Sequence, residues 1–509
     1  MSPKKTPPPI SPEITSLYNY GNYYRTESYL SRVRYAYADK YNLEASFRRD
    51  GSSRFYKDAR WGNFWSIGAN WLISKEAFMQ NVGWVNTLKL RADFGEVGND
   101  SGTGYYGYQA LYTSGQNANK GAYWLSQLSN NELMWETAQS WGVGIEARLF
   151  NRWNLNVEYF DKRNKDLIFD VILPISAGPT STGSTNPGIT QNIGTMSNRG
   201  VEIETDFDVI RNRDFRFNVF ANATFLKNKI VKLPDQNKDG IIDGTKKYVE
   251  GGDRYAFYLY HWEGVDQMTG RSLYTWDDEK FFITDDNTID GNVIYGTAPQ
   301  FDDEGAITNG VSLMGANDYV VIGGKPYVYN SGSYGKRDFC GTAIPTVYGS
   351  FGFNMSWKGL SLGTIFTYSL GNMAYDGIYR SLMTVGATPS SMHHDIWANS
   401  WTGIPSGMTE TSADRISKTV NPQINNTYSS YNNASSDRWL ISGNYLVLKN
   451  INLSYSLPKR WVNRLEMEGI SLNLSCENAF TLTARQGMNA QQTFSGTVST
   501  NTYTTARVF

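Results

Sequence analysis

Four oxygen-bearing side chains, Asp235, Asn237, Asp239 and Asp243, fall at the spacing D-x-N-x-D-G-x-x-D, with Gly240 at the sixth position. Alternate oxygens around a sharp glycine turn suit a hard cation, so calcium is the one cofactor this sequence suggests. Where a bidentate glutamate should complete the loop the chain carries Lys246, which excludes an EF-hand in the full sense. An Asx-rich turn that holds no metal is the alternative. Bound calcium would stiffen a loop, because the neighbouring strands carry no reactive group. A second acidic constellation, Glu202, Glu204, Asp206 and Asp208, puts four carboxylates on one face of one strand. Paired carboxylates can serve a glycosidase as acid and base, but such pairs usually come from separate elements, whereas this set is a ladder along one wall. His393-His394-Asp395 sets two adjacent imidazoles on a loop, and such pairs rarely converge on one ion. No GxSxG, HExxH, P-loop or dinucleotide fingerprint is present, so no catalytic residue is assigned and the chain is expected not to be an enzyme. Cys340 and Cys476, far apart and without CxxC spacing, are expected as free thiols.

Aromatic clusters offer a different chemistry. Tyr105, Tyr106, Tyr108, Tyr123 and Trp124, and the stretch from Tyr255 to Trp262, lie in or near long polar segments. Sugar rings stack on such faces while polar neighbours bond their hydroxyls, so these rings are candidate ligand contacts. Packing within the loops is the alternative for each of them.

The elements that position these groups announce themselves by alternation. Leu43-Glu44-Ala45-Ser46-Phe47-Arg48, Thr87 to Phe94, Trp153 to Tyr159, Val201 to Val209, Phe215 to Val219 and Ile470 to Ser475 all place apolar residues at every second position. Period two predicts strands with one apolar and one polar face, about a dozen in all. Phe150-Asn151-Arg152, Ile210 to Asp214 and Trp357-Lys358-Gly359-Leu360 read as tight turns, and Asp50-Gly51 as a turn dipeptide ending its strand. Gly98 to Asn131, Pro174 to Asn198 and Gly371 to Ser442 read as long loops. Short turns at one end and long loops at the other predict an all-β fold, an antiparallel transmembrane β-barrel with short periplasmic turns and long extracellular loops. The polar strand face would then look into the lumen and the apolar face into lipid. Alternation alone equally fits a soluble sheet with one dry core. The 34 Tyr, 15 Trp and 48 Gly favour the barrel, while a mean hydropathy of −0.46 and the lack of a long apolar run exclude a helical membrane protein. A formal net charge of −1 gives no field for nucleic acid. The start, MSPKKTPPPISPEI, has no apolar core and does not read as a signal peptide.

A chain of short motifs in fixed order carries a resemblance. Arg32-Val33-Arg34-Tyr35, Asp39-Lys40-Tyr41 and Arg48-Arg49-Asp50-Gly51-Ser52-Ser53-Arg54-Phe55 are followed by Arg60-Trp61-Gly62-Asn63-Phe64-Trp65 and Trp71 to Phe78. Leu88-Lys89-Leu90-Arg91, Gly95 to Asn99, Trp135-Glu136, Asn198 to Glu202, Gly264-Val265-Asp266 with Thr269-Gly270, Asp437-Arg438-Trp439-Leu440, Tyr445 to Ile451, Tyr455 to Pro458 and Glu477 to Phe480 complete the series. Together they resemble the SusC/RagA family of TonB-dependent outer-membrane transporters. The resemblance implies localisation in the bacterial outer membrane and uptake of oligosaccharides or peptides. It implies a SusD-like surface lipoprotein as partner, and energy from the TonB complex acting through a plug in the family's N-terminal half. On this reading residues 1–29 are a loop or linker, and 30–509 a partial barrel without plug or last strand. Ala506 to Phe509 would open that strand. A soluble carbohydrate-binding or hydrolase β-domain, or a passive porin, are the alternatives.

Overall fold

The computed structural model describes residues 21–117, 120–172, 188–277, 293–295, 312–314, 318–384 and 391–485, together with Met488 and residues 490–492. The alternating segments form one antiparallel sheet of twelve strands taken up in chain order. These are β1 (Thr26–Tyr37), β2 (Tyr41–Ser52), β3 (Trp61–Leu72), β4 (Val85–Asn99), β5 (Glu136–Leu149) and β6 (Trp153–Ile172). They are followed by β7 (Gly188–Arg211), β8 (Phe215–Lys232), β9 (Val347–Trp357), β10 (Leu360–Leu370), β11 (Tyr445–Ser456) and β12 (Ser471–Thr483). Every strand pairs with its sequence neighbour. β8 and β9 do so from Phe215↔Trp357 to Phe225↔Val347, although residues 233–346 intervene.

At one end the connections are tight. Phe150 and Asn151 take φ of 54° and 56°, and Lys358 and Gly359 take 46° and 93°. Two successive positive φ values match the twist of a hairpin. The turn between β3 and β4 is tied by Glu76, which accepts from Tyr41 (2.7 Å), Trp71 (3.0 Å) and Lys40 (3.0 Å). Those three donors, the Tyr41 hydroxyl foremost, hold the Glu76 carboxyl down to about 2. At the opposite end lie 53–60, 100–117, 120–135, the described parts of 233–346, and 371–384 with 391–444. Three expectations need correction. Asp50-Gly51 does not end its strand, because β2 stays paired on both sides, to β1 through Gly51↔Glu27 and to β3 through Gly51↔Trp61. The expected loop from Pro174 to Asn198 is half strand, since β7 already begins at Gly188 and pairs with β6. The longest connection, 233–346, is legible in the sequence at the Asp235–Asp243 turn and the Tyr255–Trp262 stretch, but its full extent is not. The expected final strand from Ala506 lies outside the described residues.

The two faces differ in chemistry. On one, Glu44 binds Arg32 and Arg34, Lys89 lies 3.1 Å from Glu146, and Arg91 reaches both Glu146 and Glu158. Asp206 of the carboxylate ladder accepts from Asn154 (3.2 Å) and Asn218 (3.1 Å), so the ladder belongs to this polar wall. A trough of about 1190 Å³, lined by Glu44, Arg48, Asp93 and Glu96 among others, opens along β1–β4. On the other face Val33 is 67% and Ile145 48% exposed, and the rings of Trp65–Phe94, Trp141–Tyr159 and Phe351–Phe366 pack at 4.7–5.2 Å. So much bare apolar surface is untenable in water and natural in lipid. Near the tight turns Tyr37, Tyr41 and Trp71 stack in series at 6.4 and 6.3 Å, and Trp84 stacks on Phe150 at 5.6 Å, an interfacial girdle. Among the described residues no helix is long and apolar enough to cross a membrane.

Aromatic rings on the polar face cover glycines of neighbouring strands. A Cβ on Gly352 would meet the Thr364 carbonyl oxygen at 2.0 Å and the Phe220 ring at 2.7 Å. Gly352→Ala must therefore force β9 away from β10, at a cost of about 1–3 kcal/mol. Gly68→Ala, whose nearest neighbour would be Asp93 Cβ at 3.9 Å, is the control and should cost little. Heat-dependent migration of the folded band in detergent gels checks both. Equal unfolding temperatures for the two variants would refute this account of the β9–β10 contact.

Candidate functional site

The long connections do not lie over the sheet as open loops. They fold. Ala256–Tyr260 pairs with Arg337–Thr342, and Trp262–Asp266 pairs with Ser272–Thr275 and with Ile416–Ser417. Ser272–Thr275 adds Lys325–Val328, which in turn adds Tyr319–Ile322. Short helices Gly377–Leu382 and His394–Asn399 pack alongside. Strands this short cannot bury a face alone, and their apolar side chains cluster instead. Phe257, Leu259, Tyr375, Met383, Ile396 and Trp439 form one core, and Tyr274, Trp276 and Val328 a second. The largest fully buried side chains of the described chain, among them Trp439, Tyr274 and Phe257, belong to these loops and not to the wall.

One ion pair anchors this layer. Arg415, almost entirely buried, donates to the fully buried Asp266 at 2.8 and 3.2 Å. The Asp266 carboxylate also accepts from the Met268 amide (3.1 Å), Thr269 Oγ1 (3.0 Å) and the Tyr329 hydroxyl (2.8 Å). Burial opposes the charged carboxylate, but hydrogen bonds from Arg415, Tyr329 and Met268, with the Arg415 charge, outweigh it and keep Asp266 below its ordinary value. Burial pushes the Tyr329 hydroxyl up to about 12, which keeps it a donor. Gly270 closes the turn at φ +70°, where a Cβ would strike the Trp401 ring at 2.4 Å.

Arginines sandwiched between rings build the rest of the site. Arg271 lies over Tyr329 and Tyr428 (4.1 and 4.4 Å), and Arg438 over Trp262 and Trp439 (4.8 and 4.5 Å). Arg337 lies over Tyr258 and Tyr260 (5.1 and 5.2 Å). Each desolvated guanidinium–ring contact adds about 2 kcal/mol of attraction. The result is a stiff packed layer in which guanidinium groups and rings already satisfy one another, Trp439 and Tyr329 being buried within it.

The candidate residues read from the sequence fall in several places. Tyr105 packs on Arg54, which also lies over Tyr24 (4.9 and 5.0 Å), and Tyr108 packs on Tyr56 at 5.9 Å. Tyr106 is half-buried beside them. Tyr123 is 71% exposed on the hairpin of Leu111–Asn117 and Lys120–Gln127, while the Trp124 side chain lies outside what is described. Asp235–Asn237 forms a single 3-10 turn; the Asp235 carboxylate faces Lys238 at 3.2 Å, and Asp243 accepts from the Tyr248 hydroxyl at 2.8 Å. Gly240 takes φ +95°, as that loop requires. His393 caps the helix of His394–Asn399 by accepting from the Asp395 amide at 3.1 Å. Both cysteines are free. Sequence reasoning missed the Asp266–Arg415 anchor, the arginine sandwiches and Trp397, which is 88% exposed. Motifs did mark part of this, since Gly264-Val265-Asp266, Thr269-Gly270 and Asp437-Arg438-Trp439 are its pivots.

Known proteins share the fold. The family described as TonB dependent receptor-like, beta-barrel matches residues 3–297. A TonB-dependent receptor of Formosa agariphila is 30% identical over 474 residues, 91% of this chain and 43% of the relative. The TonB-dependent receptor SusC of Bacteroides thetaiotaomicron is 30% identical over 237 residues, 45% of this chain and 22% of the relative. The solved RagAB peptide transporter superposes with a TM-score of 0.65 at 24% identity, covering 91% of this chain and 45% of that one, a likeness of fold. The chain thus spans under half the length of the Formosa receptor and of the RagAB transporter chain.

Removing the anchor has a defined expected result. Asp266→Asn leaves the buried Arg415 without its counter-charge, and breaking such a pair costs about 3–5 kcal/mol. Hydrogen exchange in 262–277 and 412–418 should rise sharply while the wall strands stay protected. Because the folded carboxyl titrates below its ordinary value near ~3.9, its contribution is complete above that pH and is lost as pH falls through the lower folded value. Wild-type loops should therefore open on acidification in that window, and Asp266→Asn loops should show a smaller acid step, the remainder coming from Glu263, which, burial notwithstanding, its partners also hold below its ordinary value.

Proposed function

Because this chain belongs to the TonB-dependent receptor β-barrel family and is SusC/RagA-like, we propose that it supplies wall and extracellular loops of an outer-membrane importer for oligosaccharides or peptides. One observation carries the reading: a bare apolar face across twelve strands, backed by a charged face and topped at one end only by folded loops. Among the described residues the outer edges of β1 and β12 have no strand partner. Lipid cannot satisfy such edges, so further strands complete the barrel. Energy coupling, through a plug pulled by the TonB complex, belongs to sequence outside this span. The charged trough along β1–β4 is the wall such a plug would face.

The loop layer meets the substrate and a SusD-like lipoprotein that closes over it. Tyr123 and Trp397, the most exposed rings described there, are the side chains assigned to these contacts. Tyr105, Tyr106 and Tyr108 serve beside them as loop packing and, at their exposed edges, as further ligand contacts. The Asp235, Asn237, Asp239 and Asp243 turn remains the position proposed for calcium.

Uptake by cells separates the readings. Deleting the gene for this chain should abolish import of its cognate labelled oligosaccharide or peptide, and collapsing the proton gradient should do the same in the wild type. Restoring the gene with Trp397→Ala should return the protein to the outer membrane but restore import only weakly, by about tenfold less, as loss of one exposed aromatic contact predicts. Import that survives a collapsed gradient would make the protein a passive porin. Recovery of the chain in the soluble fraction without detergent would favour a soluble β-domain and defeat the proposal.

A further inference from the structure

Three kinds of metal donor meet at one point of the loop layer. His261 directly follows the strand Ala256–Tyr260, Cys340 lies in the strand Arg337–Thr342 that pairs with it, and Asp437 opens the turn Asp437–Trp439. An imidazole nitrogen, Sγ and a carboxylate oxygen from these three all lie within 4.8 Å of one another. The backbone holds them there. Tyr260 bridges Ser436, the His261 amide donates to the Lys336 carbonyl at 3.4 Å, and the Trp262 amide donates to Asp437 Oδ1 at 2.9 Å. His261 Nδ1 sits 2.9 Å from Asp437 Oδ2. The Cys340 thiol donates to the Asp338 carbonyl at 3.3 Å and packs against the core of Phe257, Leu259 and Trp439.

We propose that His261, Cys340 and Asp437 form a zinc site that clamps three segments of the loop layer together. Donor chemistry selects the metal: sulfur and imidazole nitrogen suit Zn²⁺ and exclude the hard cations that want oxygen alone. Bond lengths of about 2.0–2.3 Å around a tetrahedral ion place its ligands roughly 3.3–3.8 Å apart. That spacing is within reach of this cluster once the His261–Asp437 hydrogen bond opens. His261 and Asp437 side chains are 35% and 31% exposed, so water can take the fourth position. Binding is balanced by one proton: the ion takes the Cys340 sulfur as thiolate, the thiol proton leaves to solvent, and neutral imidazole and carboxylate join unchanged. The clamp lies beside the Trp262–Arg438–Trp439 sandwich, whose backbone it would fix.

The test uses the complete barrel that contains this chain, in detergent, with Cys476→Ser, which removes the other cysteine of this chain. Titration with Co²⁺ alone should give one equivalent with a thiolate-to-metal charge-transfer band and tetrahedral visible bands, bleached by Zn²⁺. Zinc alone should raise the melting temperature of the loops. Cys340→Ser should keep the fold, as circular dichroism reports, and lose the charge-transfer band. His261→Gln should weaken zinc binding by about 100-fold, since loss of even an outer partner of a ligand costs about 10–100-fold. Absence of the band in the parent chain, or its full retention in Cys340→Ser, overturns the site. So does zinc affinity unchanged by both substitutions, which would leave His261 and Asp437 as an ordinary hydrogen-bonded pair.

Discussion

Lipid offers no hydrogen bonds, and the wall is built around that fact. A backbone amide facing hydrocarbon without a partner costs several kcal/mol, so every residue of the wall has to be paired by its neighbours. Twelve strands in chain order meet this demand, with connections at one end of two or three residues at 38–40, 150–152, 212–214 and 358–359 and longer ones at 73–84 and 457–470. Pairing across β1 and β3 even carries β2 past a dipeptide, Asp50-Gly51, that would turn the chain elsewhere. The longest irregular segments lie at the opposite end, where water or folded protein can satisfy their backbone.

Burial follows the same division. The wall keeps its large apolar side chains exposed because lipid is their solvent, whereas the loops, surrounded by water, gather a conventional core around Trp439, Tyr274 and Phe257. Charge is divided too. Lys89, Arg91, Glu146 and Glu158 on the polar face are partly solvated, and pairs of that kind contribute little stability each. Asp266 and Arg415 are dry, and their pairing decides whether the loop layer holds.

Period-two alternation made the wall readable from sequence, because each strand repeats the same rule over a dozen residues or more. The tight turns at Phe150-Asn151 and Lys358-Gly359 were readable for a similar reason, as local geometry. The extent of residues 233–346 was not. Their strands run to only a few residues, too short for a period to declare itself, and the contacts that join them link Ser272 to Asn432 or Asp266 to Arg415 across long separations. Glu76 shows the intermediate case: its motif was visible, but its task of receiving Tyr41, Trp71 and Lys40 required the fold. Tyr105 and Tyr108 were noticed as aromatic, yet part of their surface already packs on Arg54 and Tyr56. Composition cannot reveal that a ring is already occupied.

The pairing of β8 directly with β9 has a consequence for the length of the segment between them. The chain leaves its pairing with β9 after Phe225 and returns to it at Val347, directly opposite, so most of what lies between is topologically a guest. Closing a longer loop costs only about 0.6 kcal/mol per doubling of length. The segment can therefore lengthen at little entropic cost while the host hairpin keeps its register, so long as the core and the ion pair that tie it to 371–444 are kept.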